Sequence, residues 1–230
     1  MRYDVLLIVS LALVCLVAIY RRDQGRLRRS RANFFDGCLA MFDKAQVKEN
    51  GAHFPVLNAT YEGFAIKIEP IVDDMSVRKL PSLWLKLYLS APVGYSSVLG
   101  VLLRPRGTEF YSPVFDLDTE MDVPDGWPKD VLIRCSDPEN APSLLILDRL
   151  YDLLHDPKCK ELLIGPGGVR LIYQAAQAER AEYSVLRHTK FGGSQLGAEA
   201  ARHLVNSLCA IYRSVAPTPS PIQAQSQGTL

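Results

Sequence analysis

The stretch SLWLKLYLSA, residues 82–91, decides the fold class, because apolar and polar positions alternate along it without interruption. Leucines occupy every second position, at Leu83, Leu85, Leu87 and Leu89, and the positions between them are Ser82, Trp84, Lys86 and Tyr88. In a β-strand a period of two places all four leucines on one face. We therefore expect a half-buried strand whose leucine face lies against a hydrophobic core.

Similar strand-like runs lie on both sides of this stretch, and short turns join some of them. They cover residues 55–61, 64–72, 97–103, 131–135, 160–164, 169–175 and 183–191. Glu62-Gly63 and Gly165-Pro-Gly-Gly168 have the composition of tight turns, which connect antiparallel neighbours. The sequence thus predicts an α+β domain with a mainly antiparallel sheet.

Apolar residues at helical spacing predict the helices that cover one side of this sheet. The predicted helices occupy residues 32–48, where Phe34, Phe35, Cys38, Leu39 and Phe42 recur, then residues 137–154, and finally 194–213. The chain therefore consists of two halves of similar plan, each a helix followed by strands. An internal repeat is the alternative that this similarity raises.

Carboxylates occupy alternate positions in residues 114–123, at Asp116, Asp118, Glu120 and Asp122. A calcium-binding EF-hand loop starting at Asp116 would need glycine at its sixth position, where Met121 stands. We expect instead an edge strand, whose acidic face blocks edge-to-edge pairing.

An N-terminal stretch, YDVLLIVSLALVCLVAIY at positions 3–20, is apolar on every side of a helix. At 1.5 Å per residue it covers ~27 Å, close to the ~30 Å hydrocarbon core of a bilayer. We predict a transmembrane anchor over residues 1–20. A cleaved signal peptide should end in small residues, whereas Arg21 and Arg22 follow here. A helix packed on a protein core would need only one apolar stripe, so apolar residues on every side disfavour that alternative.

A basic juxtamembrane collar follows the anchor in residues 21–31. Its arginines are Arg21, Arg22, Arg26, Arg28, Arg29 and Arg31, whereas Arg2 is the one basic residue before the apolar stretch. By the positive-inside rule the N-terminus lies outside and the following domain is cytoplasmic. The expected localisation is therefore single-pass in a bacterial inner membrane, and the collar is the predicted contact with anionic membrane lipid.

Charge and cysteine content restrict the function of the remaining chain, which we divide into an α+β domain, residues 32–215, and a disordered tail, 216–230. Residues 32–230 hold 19 basic and 23 acidic side chains. A mildly acidic domain argues against nucleic-acid binding, which requires a clustered basic surface. The five cysteines include no C-x-x-C pair, which indicates reduced, buried thiols rather than disulfides.

No motif of the chain carries a specific chemistry. His155 and Cys159 are spaced like half a zinc site but have no second pair near them in sequence. The glycines of residues 165–168 lack the spacing of a phosphate-binding loop and precede a strand. We therefore predict no catalytic residues, no metal and no cofactor.

Two functions fit these features best. The first is a non-catalytic interaction or scaffold module at the membrane that binds membrane proteins, with a homo-oligomer as one form of assembly. The alternative is a small-ligand or lipid-binding module, whose candidate pocket residues are Trp84, Tyr88, Tyr173, Tyr183 and His188. An enzyme is a third option that would need a cleft around His188 or the acidic strand.

Overall fold

The computed structural model describes residues 3–51, 53–73, 80–178, 191 and 195–216. Its strands are β1 (Lys44–Lys48), β2 (Val56–Tyr61), β3 (Phe64–Asp73), β4 (Ser82–Ser90), β5 (Leu99–Leu103), β6 (Thr119–Met121), β7 (Val131–Cys135), β8 (Cys159–Gly165) and β9 (Gly168–Gln177). They form one sheet in the order β1-β2-β3-β4-β9-β8-β5-β7-β6. Every neighbouring pair is antiparallel, which confirms the predicted α+β class and antiparallel sheet.

The described part of the chain has one long helix at each end and short helical segments between them. They are α1 (Tyr3–Ala32), α2 (Tyr151–His155) and α3 (Ala198–Val215), with 3-10 turns at Leu39–Met41, Val114–Asp116, Pro138–Asn140 and Leu144–Leu150. Helix α3 packs on β4 and β9 near the middle of the sheet.

Strand β4 separates the two faces of the sheet as its alternation predicts. Leu83, Leu85, Leu87 and Leu89 are buried on the side that α3 covers, which we call the α3 face. Burying a leucine side chain stabilises the fold by about 1.5–3 kcal/mol, so the leucine row is a major part of the core. Trp84, Lys86 and Tyr88 are half-buried and point to the other side, which we call the opposite face.

The opposite face is itself covered at β5. The cover is the part of the chain around Val114 and Leu117, which follows β5 and which we call the covering segment. A Cβ atom on Gly100 would lie 2.6 Å from Cγ2 of Val114 and 3.1 Å from Cδ1 of Leu117, so only glycine lets the segment pack this closely. Arg134 fixes the segment further, because its Nη1 donates to the carbonyl oxygen of Phe115 at 2.6 Å.

The predicted helix over residues 32–48 is wrong. Helix α1 ends at Ala32, and the chain then turns so that the neighbouring rings of Phe34 and Phe35 both enter the core, 5.0 Å apart. Residues Lys44–Lys48 form β1, and all five of them pair with β2. Strand pairing therefore overrides the helical spacing of the phenylalanines.

The predicted transmembrane anchor is also corrected by the structure. Helix α1 runs for 30 residues, straight through the arginine collar. Within the described part of the chain, no helix combines the length and the apolar character that crossing a membrane requires. The uncharged run from Val5 to Ile19 rises only ~22 Å, against the ~30 Å of a hydrocarbon core. The predicted membrane localisation and orientation are therefore wrong.

Two other predicted segments fall mainly on residues that the structure does not describe. Of the predicted strand 183–191 only Phe191 is described, and it is buried. Of the predicted tail 216–230 only Ala216 is described. The division into domains and the internal repeat remain predictions.

Candidate functional site

A polar cavity of about 440 Å³ opens on the opposite face, where β4 begins and β9 ends. One wall is the sheet, with Ser82, Trp84 and Gln174. The other wall is residues 104–111, which connect β5 to the covering segment and which we call the 104–111 loop. Its lining side chains include Arg106 and Glu109.

A buried ion pair fastens the 104–111 loop to the sheet. Nζ of Lys160, on β8, lies 2.7 Å from Oε1 of Glu109, and the two side chains are 7% and 4% exposed. The same ammonium donates to the carbonyl oxygens of Leu103 at 3.0 Å and Arg104 at 2.6 Å. All three N–H donors of Lys160 are thus used inside the protein.

The carboxylate of Glu109 is equally occupied. It accepts the backbone N–H of Arg106 at 3.0 Å and that of Thr108 at 3.0 Å. Burial by itself would raise the pKa of Glu109, but the hydrogen bond and charge of Lys160, and next the backbone N–H of Arg106, bring the pKa below its ordinary value. Burial lowers the pKa of Lys160, and the attraction of Glu109 opposes that effect. The pair is therefore a fixed element of the wall.

Arg104 joins the start of the loop to the chain between α2 and β8. Its backbone lies in the left-handed region, with φ 50°. Its Nη2 donates to the carbonyl oxygen of Pro157 at 3.0 Å and also contacts the carbonyl oxygen of Cys159. A non-glycine residue at positive φ is strained, and these hydrogen bonds hold it there.

An aromatic pair forms the inner part of the cavity. The rings of Trp84 and Tyr111 lie 6.1 Å apart and are tilted by 45°. Burial, and next the negative charge of Glu109, raise the pKa of Tyr111, so its hydroxyl stays protonated. The indole Nε1 of Trp84 is fully buried and has no hydrogen-bond partner among the described residues. A buried N–H without an acceptor costs about 1–3 kcal/mol.

The charges that remain in the cavity favour an anion. Among the residues that the structure describes, the charged side chains that line it are Asp73, Arg104, Arg106, Glu109 and Lys160. The Glu109–Lys160 pair cancels, which leaves two guanidinium groups against one carboxylate. Arg106 is exposed, so its guanidinium is the cation that a bound molecule reaches first.

The three predicted pocket residues that the structure describes, Trp84, Tyr88 and Tyr173, lie in different places. Trp84 lines the cavity, whereas Tyr88 lies further along β4 with Nζ of Lys67 5.4 Å from its ring centre. Tyr173 lies on the α3 face, lines a second cavity of about 600 Å³, and donates to Oδ2 of Asp156 at 2.7 Å. Tyr183 and His188 are outside the described residues.

The predicted collar lies along the second half of α1. Arg28 pairs with Glu49, and the guanidinium of Arg31 stacks 4.8 Å from the ring centre of Phe54. Arg21, Arg22, Arg26 and Arg29 are exposed. The binding of anionic lipid by the collar remains a prediction.

The residues of the half zinc site have separate roles. Nδ1 of His155 lies 2.9 Å from the carbonyl oxygen of Tyr151, within the short helix α2. Cys159 is buried, and burial raises the pKa of its thiol to about 12.

No sequence motif predicted Arg104, Arg106, Glu109 or Lys160 as site residues. One signal was available: Lys160 and Glu161 are charged residues in a strand that is otherwise apolar. Charged side chains in such a strand are buried only when they are paired. The partner of Lys160 could not be read from the sequence, because Glu109 lies in a distant loop.

Comparisons with known proteins add little to this description. No protein-family model matches the chain, and no curated protein sequence matches it. Among solved structures the chain is similar to the crystal structure of the mycobacterial trehalose monomycolate transport factor A, TtfA. The identity is 15% and the TM-score 0.35, over 72% of this chain and 75% of that chain. A similarity of this size supports no inference about function.

Proposed function

We propose that the protein is a non-catalytic binding module that takes up a small anionic molecule in the cavity beside the 104–111 loop. The observation that carries the proposal is the balance of charges in the wall. Glu109 and Lys160 neutralise each other, and the exposed guanidinium of Arg106 remains at the opening. Guanidinium groups suit carboxylates and phosphates, which they bind through paired hydrogen bonds.

The state of the buried pair supports binding over catalysis. A general base or nucleophile needs a lone pair that can reach the substrate. The Lys160 ammonium donates to three protein acceptors, and the Glu109 carboxylate accepts from Lys160 and from two backbone N–H groups. Neither group of the pair is therefore available to exchange a proton with a bound molecule.

Native mass spectrometry of the full-length protein, purified gently from its own host, tests this proposal. We expect a discrete added mass on the wild type that is lost in Arg106→Ala. The matched control is Arg202→Ala, which removes an exposed arginine from α3 and should retain the added mass. A wild-type protein without added mass, or equal loss in both variants, would contradict the proposed site.

A second candidate function is an interaction module, and the exposed surface of α1 favours it. Large apolar side chains from Leu6 to Tyr20 are exposed on the helix, among them Leu7 at 69% and Ile19 at 69%. Apolar surface of this extent commonly marks a contact with another molecule. Chemical crosslinking at native expression, followed by purification, should recover a defined partner protein. Recovery of the uncrosslinked chain alone would count against this function.

A further inference from the structure

The first edge of the sheet carries a basic row of side chains on one face. β1 is the terminal strand there, and the structure describes no strand beyond it. Lys44, Gln46 and Lys48 alternate along β1 and are exposed. The outer backbone groups of an edge strand are open to pairing with another strand.

The second edge of the sheet is acidic. β6 is the terminal strand at that end of the described sheet. Glu120 is exposed in the middle of β6, and exposed Asp118 and Asp122 lie two residues to either side of it. The spacing of these carboxylates matches the spacing of the three residues on β1.

The row on β1 and the row of carboxylates at β6 both project from the opposite face of the sheet. Successive cross-strand partners lead from Gln46 through Lys67, Tyr88 and Gly100 to Glu120. Residues that pair directly across strands lie on the same side of a sheet. Gln46 and Glu120 are therefore on one face, although they stand at opposite edges.

The strand directions define how two copies would meet. The described sheet has nine strands and every neighbouring pair is antiparallel, so β1 and β6 run in the same direction. A second copy that keeps its opposite face on the same side therefore places its β6 parallel to β1. When Glu120 of the second copy is placed opposite Gln46, Asp118 lies near Lys44 and Asp122 lies near Lys48.

We propose that β1 of one molecule binds β6 of a second copy of this chain, which extends the sheet head to tail. Like charges oppose pairing of β1 with β1 and of β6 with β6. Opposite charges favour the pairing of β1 with β6 alone. The acidic strand thus blocks association with its own kind and directs association to the basic edge.

The expected contact is weak and salt-dependent. β6 has three residues, so few main-chain hydrogen bonds form across the contact. The exposed charge pairs are screened by salt. The contact joins two different surfaces, so it repeats as a chain of molecules unless its rotation closes a ring.

Charge reversal at each edge tests the proposal. The variants are Lys44→Glu/Lys48→Glu on β1 and Asp118→Lys/Asp122→Lys on β6. The control, Arg21→Glu/Arg22→Glu, makes the same change in net charge as the first variant at exposed positions of α1. Full-length protein is studied by sedimentation velocity in nonionic detergent, which covers the apolar side chains of α1.

The wild type and the control should associate with rising concentration at about 50 mM salt and dissociate at about 500 mM. Each edge variant alone should associate at least about tenfold more weakly. An equimolar mixture of the two edge variants should regain association, because every contact between unlike variants joins opposite charges.

Three results would overturn the proposal: a monomeric wild type at every concentration, association that neither reversal weakens, or a mixture that does not regain association. Circular dichroism checks that each variant is folded. If a reversal unfolds the protein, the neutral variant Lys44→Gln/Lys48→Gln replaces it and should weaken association in the same direction.

Discussion

Replacing Lys160 with methionine should cost far more stability than the same replacement at Lys67. Both lysines pair with a glutamate, Lys160 with Glu109 at 2.7 Å and Lys67 with Glu69 at 2.9 Å. The pairs differ in environment, because the first is buried and the side chains of the second are 44% and 34% exposed. The comparison therefore sets a buried lysine–glutamate pair against an exposed one.

The cost at the buried site follows from what Lys160→Met leaves behind. Methionine fills most of the lysine volume, so little cavity forms. The Glu109 carboxylate keeps its backbone donors but loses its cation, and two carbonyl oxygens lose a donor. Removing one partner of a buried ion pair costs about 3–5 kcal/mol.

The cost at the exposed site should be about 0.5–2 kcal/mol, the sum of two weak contacts. Exposed ion pairs contribute about 0–1 kcal/mol. Lys67 also lies over the ring of Tyr88, a contact worth about 0.5–1 kcal/mol at an exposed site. The two variants should therefore differ by about 3 kcal/mol, or roughly a hundredfold in the folding equilibrium.

Urea unfolding of the full-length protein in nonionic detergent, followed by far-ultraviolet circular dichroism, measures this difference. The double variant Lys160→Met/Glu109→Gln completes a cycle and should cost less than the sum of its single variants. Equal losses for Lys160→Met and Lys67→Met, or strictly additive losses in the cycle, would refute the reasoning.

Three further outcomes are expected. The folded-state pKa of Glu109 is lowered, so its stabilising contribution is present at neutral pH and is lost as the pH falls below the ordinary glutamate range and through that lowered pKa. The urea midpoints of wild type and Glu109→Gln should therefore converge in acid. Gly168→Ala should lower the free energy of unfolding by at least about 3 kcal/mol, measured in thermal melts. The reason is that φ of Gly168 is 138° and that the new Cβ would lie 2.0 Å from the carbonyl oxygen of Leu89. The control is Gly167→Ala, whose Cβ would have no atom within 4 Å. Iodoacetamide should label Cys15 in the native protein and all five cysteines only in urea, since the other four are buried; native labelling of several thiols would contradict the packing.

The parts of the fold that depend on local pattern were predictable from the sequence. Strand β4 and the hairpin between β8 and β9 follow from alternation and from turn glycines, which involve neighbouring residues. Residues 32–48 were mispredicted because phenylalanines at helical spacing also suit a turn that buries both Phe34 and Phe35. Pairing of Lys44–Lys48 with β2 decides that segment, and spacing within one segment does not contain this information.

The candidate site was less predictable because its bonds join distant parts of the chain. Lys160 and Glu109 are 51 positions apart in the sequence, and Arg104 reaches the carbonyl oxygens of Pro157 and Cys159. Of the three predicted pocket residues within the described part of the chain, Trp84 alone lines this cavity. Its position on the polar side of β4 was visible in the alternation, whereas the loop opposite it was not.

The buried ion pair is explained by the backbone of the 104–111 loop without any ligand. Replacing a buried pair with apolar residues is often neutral or stabilising. Here it would strip a partner from two carbonyl oxygens and from the backbone N–H groups of Arg106 and Thr108. A loss of binding in a Glu109 or Lys160 variant would therefore report a displaced loop. The side chain of Arg106 is exposed at the opening, so replacing it should remove ligand binding without displacing the loop. A variant of Arg106 is therefore the one that tests binding.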